Sequence, residues 1–159
     1  RRAMDRRELL GALGATAAGL AAVTGGSALA QEGHAHKGSH KDDIHHKCAE
    51  ACGDCMHACE EGFHHCYRQV SSGKANYAKA MHLCVDCAEV CGTSAKLCAR
   101  MSPMMTHTCE ACAECCEMCL AECEKLNDPE MTTAVEALRA CAKSCHEMVK
   151  AMGGHKAAG

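Results

Sequence analysis

Six of the chain's 17 cysteines fall within fifteen residues, in the run CEACAECCEMCLAEC at Cys109–Cys123, with no glycine, proline or β-branched residue among them. These six are Cys109, Cys112, Cys115, Cys116, Cys119 and Cys123; the others are Cys48, Cys52, Cys55, Cys59, Cys66, Cys84, Cys87, Cys91, Cys98, Cys141 and Cys145. Thiols at this density are suited to cross-links, redox exchange, inert packing or coordination of soft metal ions. A four-residue step recurs in Cys48/Cys52, Cys55/Cys59, Cys87/Cys91, Cys112/Cys116, Cys119/Cys123 and Cys141/Cys145. On a helix such pairs hold their Cβ atoms about 5–6 Å apart, whereas a disulfide needs about 3.5–4.5 Å. They cannot close locally without breaking the helix, and an odd total leaves at least one thiol unpaired. Inert packing would explain one buried cysteine. Seventeen in register would be better served by alanine or leucine, which do not oxidise.

Coordination is the strongest reading, and soft thiolates suit Cu(I), Zn(II) and iron–sulfur clusters. Zinc takes sets of four ligands, usually from CxxC pairs on turns. Here the CxxC steps (Cys52/Cys55, Cys84/Cys87, Cys109/Cys112, Cys116/Cys119) are embedded in helical CxxxC patterns. A divalent ion on four thiolates keeps a double negative charge, which is costly to bury repeatedly. One monovalent copper per thiolate leaves a neutral interior. Cu(I), several ions per chain, is therefore the expected cargo. The alternatives are a zinc or mixed-metal thiolate buffer of metallothionein-like character, and a thiol redox protein working through a few accessible thiols.

The elements that position these sulfurs follow from periodicity. Beyond residue 30, Leu, Ile, Val and Phe number 12 among 129 residues, below the roughly 20% that a conventional core requires. Protonated cysteine is itself a small, readily buried hydrophobe. Four helices are predicted, over about 42–70, 76–101, 103–126 and 129–152. They are punctuated by Ser71-Ser72-Gly73, Ser102-Pro103 and Asp128-Pro129. Short connections make neighbours antiparallel, so the expected fold is all-α, an up-down-up-down four-helix bundle with a cysteine-lined core. Cys48/Cys55 and Cys52/Cys59/Cys66 form two seven-residue strings on the first helix; Cys84/Cys91/Cys98 with Cys87, and Cys109/Cys116/Cys123 with Cys112/Cys119, continue them. These are paired seams facing a bundle core. Cys115 lies off the seams, as an exposed thiol or part of an extra site.

Residues 1–30 carry Arg6-Arg7, an Ala/Gly/Leu stretch and Ala28-Leu29-Ala30, the pattern of a twin-arginine (Tat) export signal with an A-x-A cleavage site. The expected location is the periplasm or another extracytoplasmic space, without stable membrane insertion after processing. Removing this segment takes away four Arg and two acids, so the formal charge moves from −3 to −5. With no basic stripe and three aromatics beyond it (Phe63, Tyr67, Tyr77), nucleic-acid binding is not expected. Residues 31–41 read as a flexible His-rich lead-in and 153–159 as a disordered tail.

A twin-arginine signal, four antiparallel helices and repeated CxxxC along the core together resemble the bacterial copper storage proteins of the exported type. The resemblance covers about Asp42 to Met152. It implies storage of many Cu(I) ions on core thiolates for copper enzymes, and no catalysis. It also implies a homo-oligomer, tetramers occurring in the family, and exchange with a copper enzyme or copper chaperone; exported members are associated with methane-oxidising bacteria. The CxxxC pairs match the motif, with Cys66, Cys84, Cys98 and Cys109 extending the seams.

The two ends of such a bundle differ in composition. One gathers His45, His46, Met101, Met104, Met105, His107, Met148 and Met152, with His155 beyond. It is expected to be a thioether and imidazole mouth, since both are weaker Cu(I) ligands than thiolate and suit capture and hand-over. The other gathers Tyr67, Val70, Tyr77, Leu126, Val135 and Leu138 with Met81, His82 and Met131, an expected hydrophobic plug. His57, His64, His65, His82 and His146 are expected to be mostly exposed. A single ExxH at Glu61–His64 falls short of the paired motif of di-iron bundles.

Overall fold

In the computed structural model, residues 40–153 are described; the leader assigned to 1–30, most of the His-rich lead-in and His155 lie outside them. Helix α1 spans His40–Ser71, α2 Ala78–Ala99, α3 Met105–Leu126 and α4 Thr132–Ala151. Short 3-10 turns at Ala75–Tyr77 and Pro129–Met131 lead into α2 and α4. Helix α1 packs on α2 and α4, and α3 packs on the same two, so the four form a closed ring. No described helix is long and apolar enough to cross a membrane.

Helix ends depart from the sequence-based boundaries for local reasons. Gly73, at φ 94°, caps α1: its N–H reaches Val70 C=O at 2.9 Å, and the Lys74 N–H reaches Gln69 C=O at 3.0 Å. That is the Schellman arrangement glycine favours. The same pattern ends α2 two residues earlier than expected, but with Met101 in the left-handed position at φ 49°. There the Met101 N–H bonds Cys98 C=O and the Ser102 N–H bonds Leu97 C=O, both at 3.0 Å. Ser102 does not directly cap α3: its Oγ accepts from the Met104 N–H at 3.3 Å, inside the turn before the helix. Asp128 does act as expected, accepting from the Glu130 N–H at 2.9 Å ahead of Pro129–Met131.

The interior is sulfur, with hydrocarbon concentrated at one end. Leu138 is fully buried, which stabilises the fold by about 2 kcal/mol. Gly62 sits on the α1 seam between Cys59 and Cys66. A Cβ there would lie 3.2 Å from the Met131 methyl, 3.4 Å from Ala134 Cβ and 3.5 Å from Cys84 Sγ. Glycine inside a helix costs about 0.5–1 kcal/mol relative to alanine; here the vacated space lets Met131 and Cys84 come in against α1.

Candidate metal centre

All 17 cysteines are buried and none is linked to another. Their sulfurs form a ladder running the length of the tube. At one end Cys98 Sγ lies 3.4 Å from Cys109, and both lie 3.8 Å from Cys48. The chain continues through Cys145 to Cys52 at 3.6 Å, and Cys52 to Cys141 at 3.7 Å. Cys141 then meets Cys112 at 3.8 Å and Cys91 at 3.9 Å, while Cys91 meets Cys112 at 3.5 Å. Cys116 joins Cys91, Cys87 and Cys55 at 3.7, 3.6 and 3.9 Å. Cys59 follows Cys55 at 4.0 Å, and Cys84 meets Cys119 and Cys123 at 3.8 and 3.9 Å.

These separations are non-bonded contacts, far beyond the roughly 2.05 Å of a disulfide. A metal–sulfur bond of about 2.3 Å places the sulfurs of a three- or four-coordinate ion about 3.8–4.0 Å apart. The tube is therefore already spaced for a thiolate-bound metal with little rearrangement. Two fourfold groups share no sulfur: Cys52/Cys112/Cys141/Cys145 and Cys55/Cys87/Cys91/Cys116. A third, Cys91/Cys112/Cys116/Cys141, draws on both, and threefold groups occur at Cys48/Cys109/Cys145 and Cys59/Cys87/Cys119.

The thiols share protons, and this divides them. Cys87 is held well below the ordinary thiol range by hydrogen bonds from Cys115, Cys116, Cys119 and Cys55. Hydrogen bonds from Cys109, Cys145, Cys52 and Cys98 do the same for Cys48. Cys59 is lowered to about 6 by Cys119, Cys55 and Cys84, and Cys123 to about 4 by Cys119 and Cys84. The donors hold their protons more tightly: Cys119 is raised through its bond to Cys123, Cys145 through Cys109, and Cys98 through Cys109. Thiol contacts of this kind favour the thiolate form at some positions over their neighbours, and a soft cation that replaces the remaining protons neutralises the set. Cys66 stands apart, pushed up to about 11 by burial and then by the charges of Cys123 and Asp128.

Some expectations change. Cys115 is not an exposed thiol: it is 7% accessible, and its own proton is held by its hydrogen bond to Cys87. His65 is not exposed either, at 5% accessibility. Its Nε2 lies 2.8 Å from Asp128 Oδ2 and its Nδ1 3.0 Å from Glu130 Oε2. Tyr77 donates to the same Asp128 oxygen at 2.8 Å. The plug is accordingly a packed layer of Met131, Ala134 and Leu138 beneath a polar lock, and Tyr67, expected within it, is exposed. His57, His64, His82 and His146 are exposed as expected.

At the opposite end Met101, Met104 and Met152 are exposed, whereas Met105 and Met148 are buried. His45 is buried and finds no hydrogen-bond partner for either ring nitrogen among the described residues, while His46 faces Glu50 at the surface and His107 is exposed. Ser94 occupies a buried α2 seam position, its Oγ donating to Thr108 C=O at 3.1 Å. Sequence reasoning passed over it, although its place three residues after Cys91 and four before Cys98 marks it as a rung.

Comparison with known proteins completes the picture. A family described as "Copper storage protein" has a model that matches residues 25–150. The solved structure of Cu(I)-bound copper storage protein BsCsp3 is 32% identical, with a TM-score of 0.62, over 66% of this chain and 97% of that one. The apo form of copper storage protein 3 from Bacillus subtilis is 33% identical, with a TM-score of 0.56, over 64% and 95%. An uncharacterised cysteine-rich protein of Bacillus subtilis strain 168, YhjQ, is 34% identical over 101 residues, 64% of this chain and 92% of its own length. The family match spans most of a chain whose interior is sulfur, and with it the protein belongs to the copper storage protein family, whose members hold metal and are not enzymes.

Proposed function

We propose that the protein stores many Cu(I) ions per chain on the thiolates of its core and releases them to a copper-dependent enzyme or copper chaperone. The ligands are the 17 seam and near-seam cysteines, Cys115 included. The observation that carries this reading is the unlinked ladder, whose sulfurs stand 3.4–4.0 Å apart from Cys98 to Cys59 and again among Cys84, Cys119 and Cys123, with Cys59 and Cys119 within 4.8 Å of each other. Monovalent copper can bridge successive rungs because each ion cancels one thiolate, so neighbouring sites do not accumulate charge. The BsCsp3 structure was obtained with Cu(I) bound, which supports the same cargo here.

Copper is taken up at the end bearing Met101, Met104, Met105, Met148 and Met152, with His45, His46 and His107 beside them. The orphaned ring of His45 and the left-handed backbone of Met101 support this, since both are tolerated costs of the kind found at functional positions. The arginine pair and A-x-A sequence of residues 1–30 support export by the twin-arginine pathway to an extracytoplasmic space. The protein assembles there as a homo-oligomer.

A zinc buffer has one observation in its favour, the two disjoint fourfold groups at Cys52/Cys112/Cys141/Cys145 and Cys55/Cys87/Cys91/Cys116. Each such site would bury a double negative charge and together they would leave nine of the 17 thiols unused. Anaerobic titration of the reduced protein in competition with a chelator separates the readings. Uptake of Cu(I) approaching the thiol count, with Zn(II) saturating near two ions, is expected; equal low stoichiometry for both metals would reject copper storage.

A further inference from the structure

The locked end holds a sulfur pair unlike the rest of the ladder. Cys66 is the last α1 rung, and its Sγ donates to the thioether Sδ of Met131 at 3.8 Å. Both are fully sheltered, at 0% and 1% exposure. Every other sulfur–sulfur hydrogen bond among the described residues joins two cysteines.

Resting on the copper-storage reading, we propose that Cys66 and Met131 form a separate thiolate–thioether site for one Cu(I) ion, and that it is the last site to fill. The Met131 backbone is fixed at the end of the 3-10 turn, its N–H reaching Asp128 C=O at 2.9 Å. Asp128 is in turn clamped by His65 and Tyr77, each at 2.8 Å. The side chain then needs a berth, and Gly62 supplies it: a Cβ at that position would stand 3.2 Å from the Met131 methyl. If Met131 were filler alone, alanine at 62 beside a smaller residue at 131 would close the gap without a glycine inside a helix. The pairing instead brings a soft, uncharged donor to the one seam cysteine that makes no hydrogen bond to another thiol.

The binding step balances. The ion replaces the Cys66 thiol proton, which leaves to solvent, and a copper–thiolate bond forms. Met131 contributes a sulfur lone pair and releases no proton. One positive charge meets one thiolate, so the buried site is neutral. Elsewhere in the tube an ion finds two or more thiols, which bind Cu(I) more strongly than one thiol and a thioether, and this sets the order of filling.

The test uses the full chain with methyl-13C methionine, titrated anaerobically with Cu(I) and followed by NMR, the Met131 methyl being assigned with Met131→Leu. That resonance is expected to move only with the last equivalent, and to stay still in Cys66→Ala while the remaining sites fill. Gly62→Ala, which crowds the methyl but leaves every thiol in place, should remove the same final equivalent. Full copper uptake with an unmoved Met131 methyl, or an equal shift in Cys66→Ala, overturns the site and leaves storage intact. Uptake of only a few ions overturns storage itself and this site with it.

Discussion

The same four helices close their tube in opposite ways at its two ends. Where Met131, Ala134 and Leu138 meet, hydrocarbon packs beneath His65, Asp128 and Tyr77, whose polar atoms satisfy one another. At the other end Met101 and Met104 are more than half exposed, and His45 is buried without a hydrogen-bond partner among the described residues. One end carries the packing that a sulfur interior lacks. The other gives up hydrogen bonding and backbone comfort to keep soft donors near solvent. The contrast teaches that stability and access are kept apart, which lets the ladder between them be occupied or empty without the bundle coming undone.

The largest expected effect is at the closed end. Leu138→Ala removes a fully buried side chain and should cost about 3 kcal/mol in chemical denaturation of the apo protein, with copper capacity unchanged. Asp128→Ala leaves the His65 ring and the Tyr77 hydroxyl without their shared acceptor, an expected loss of about 2 kcal/mol. If either variant proved as stable as the parent, the closed end would not be the anchor.

Changes at the mouth should move stability less, and one in the opposite direction. His45→Leu replaces an unsatisfied buried imidazole with an apolar side chain and should raise apo stability by about 1 kcal/mol while slowing copper uptake in stopped flow. Joint replacement of Met101, Met104, Met105 and Met148 by leucine should leave the melting transition nearly in place and slow loading several-fold at unaltered capacity. Loading at the parental rate in both variants would remove the distinction between the ends.

Much of this design was legible in the residues because coiled-coil spacing is a direct statement about which side of a helix is buried. The strings Cys52/Cys59/Cys66 and Cys84/Cys91/Cys98 led straight to a sulfur interior. Cys115 was harder: each helix touches two others in the ring, so the buried face is wider than a two-position seam, and its far edge reaches Cys87. His65 was misread because its partners, Asp128 and Glu130, are more than sixty residues distant, and periodicity carries no information about pairing across helices. Met131 was read only as part of the hydrophobic plug, and Gly62 only as a position inside the single ExxH. Only their meeting across the tube gives each a reason.

Native mass spectrometry of the reduced protein after anaerobic loading, with unbound copper stripped by a chelator, is the most direct measurement of the central claim. The expected spectrum shows a saturated chain carrying copper ions in a number near its 17 thiols, with no disulfide formed. A chain that saturates at one or two ions, or that holds its cysteines oxidised in pairs, would contradict it.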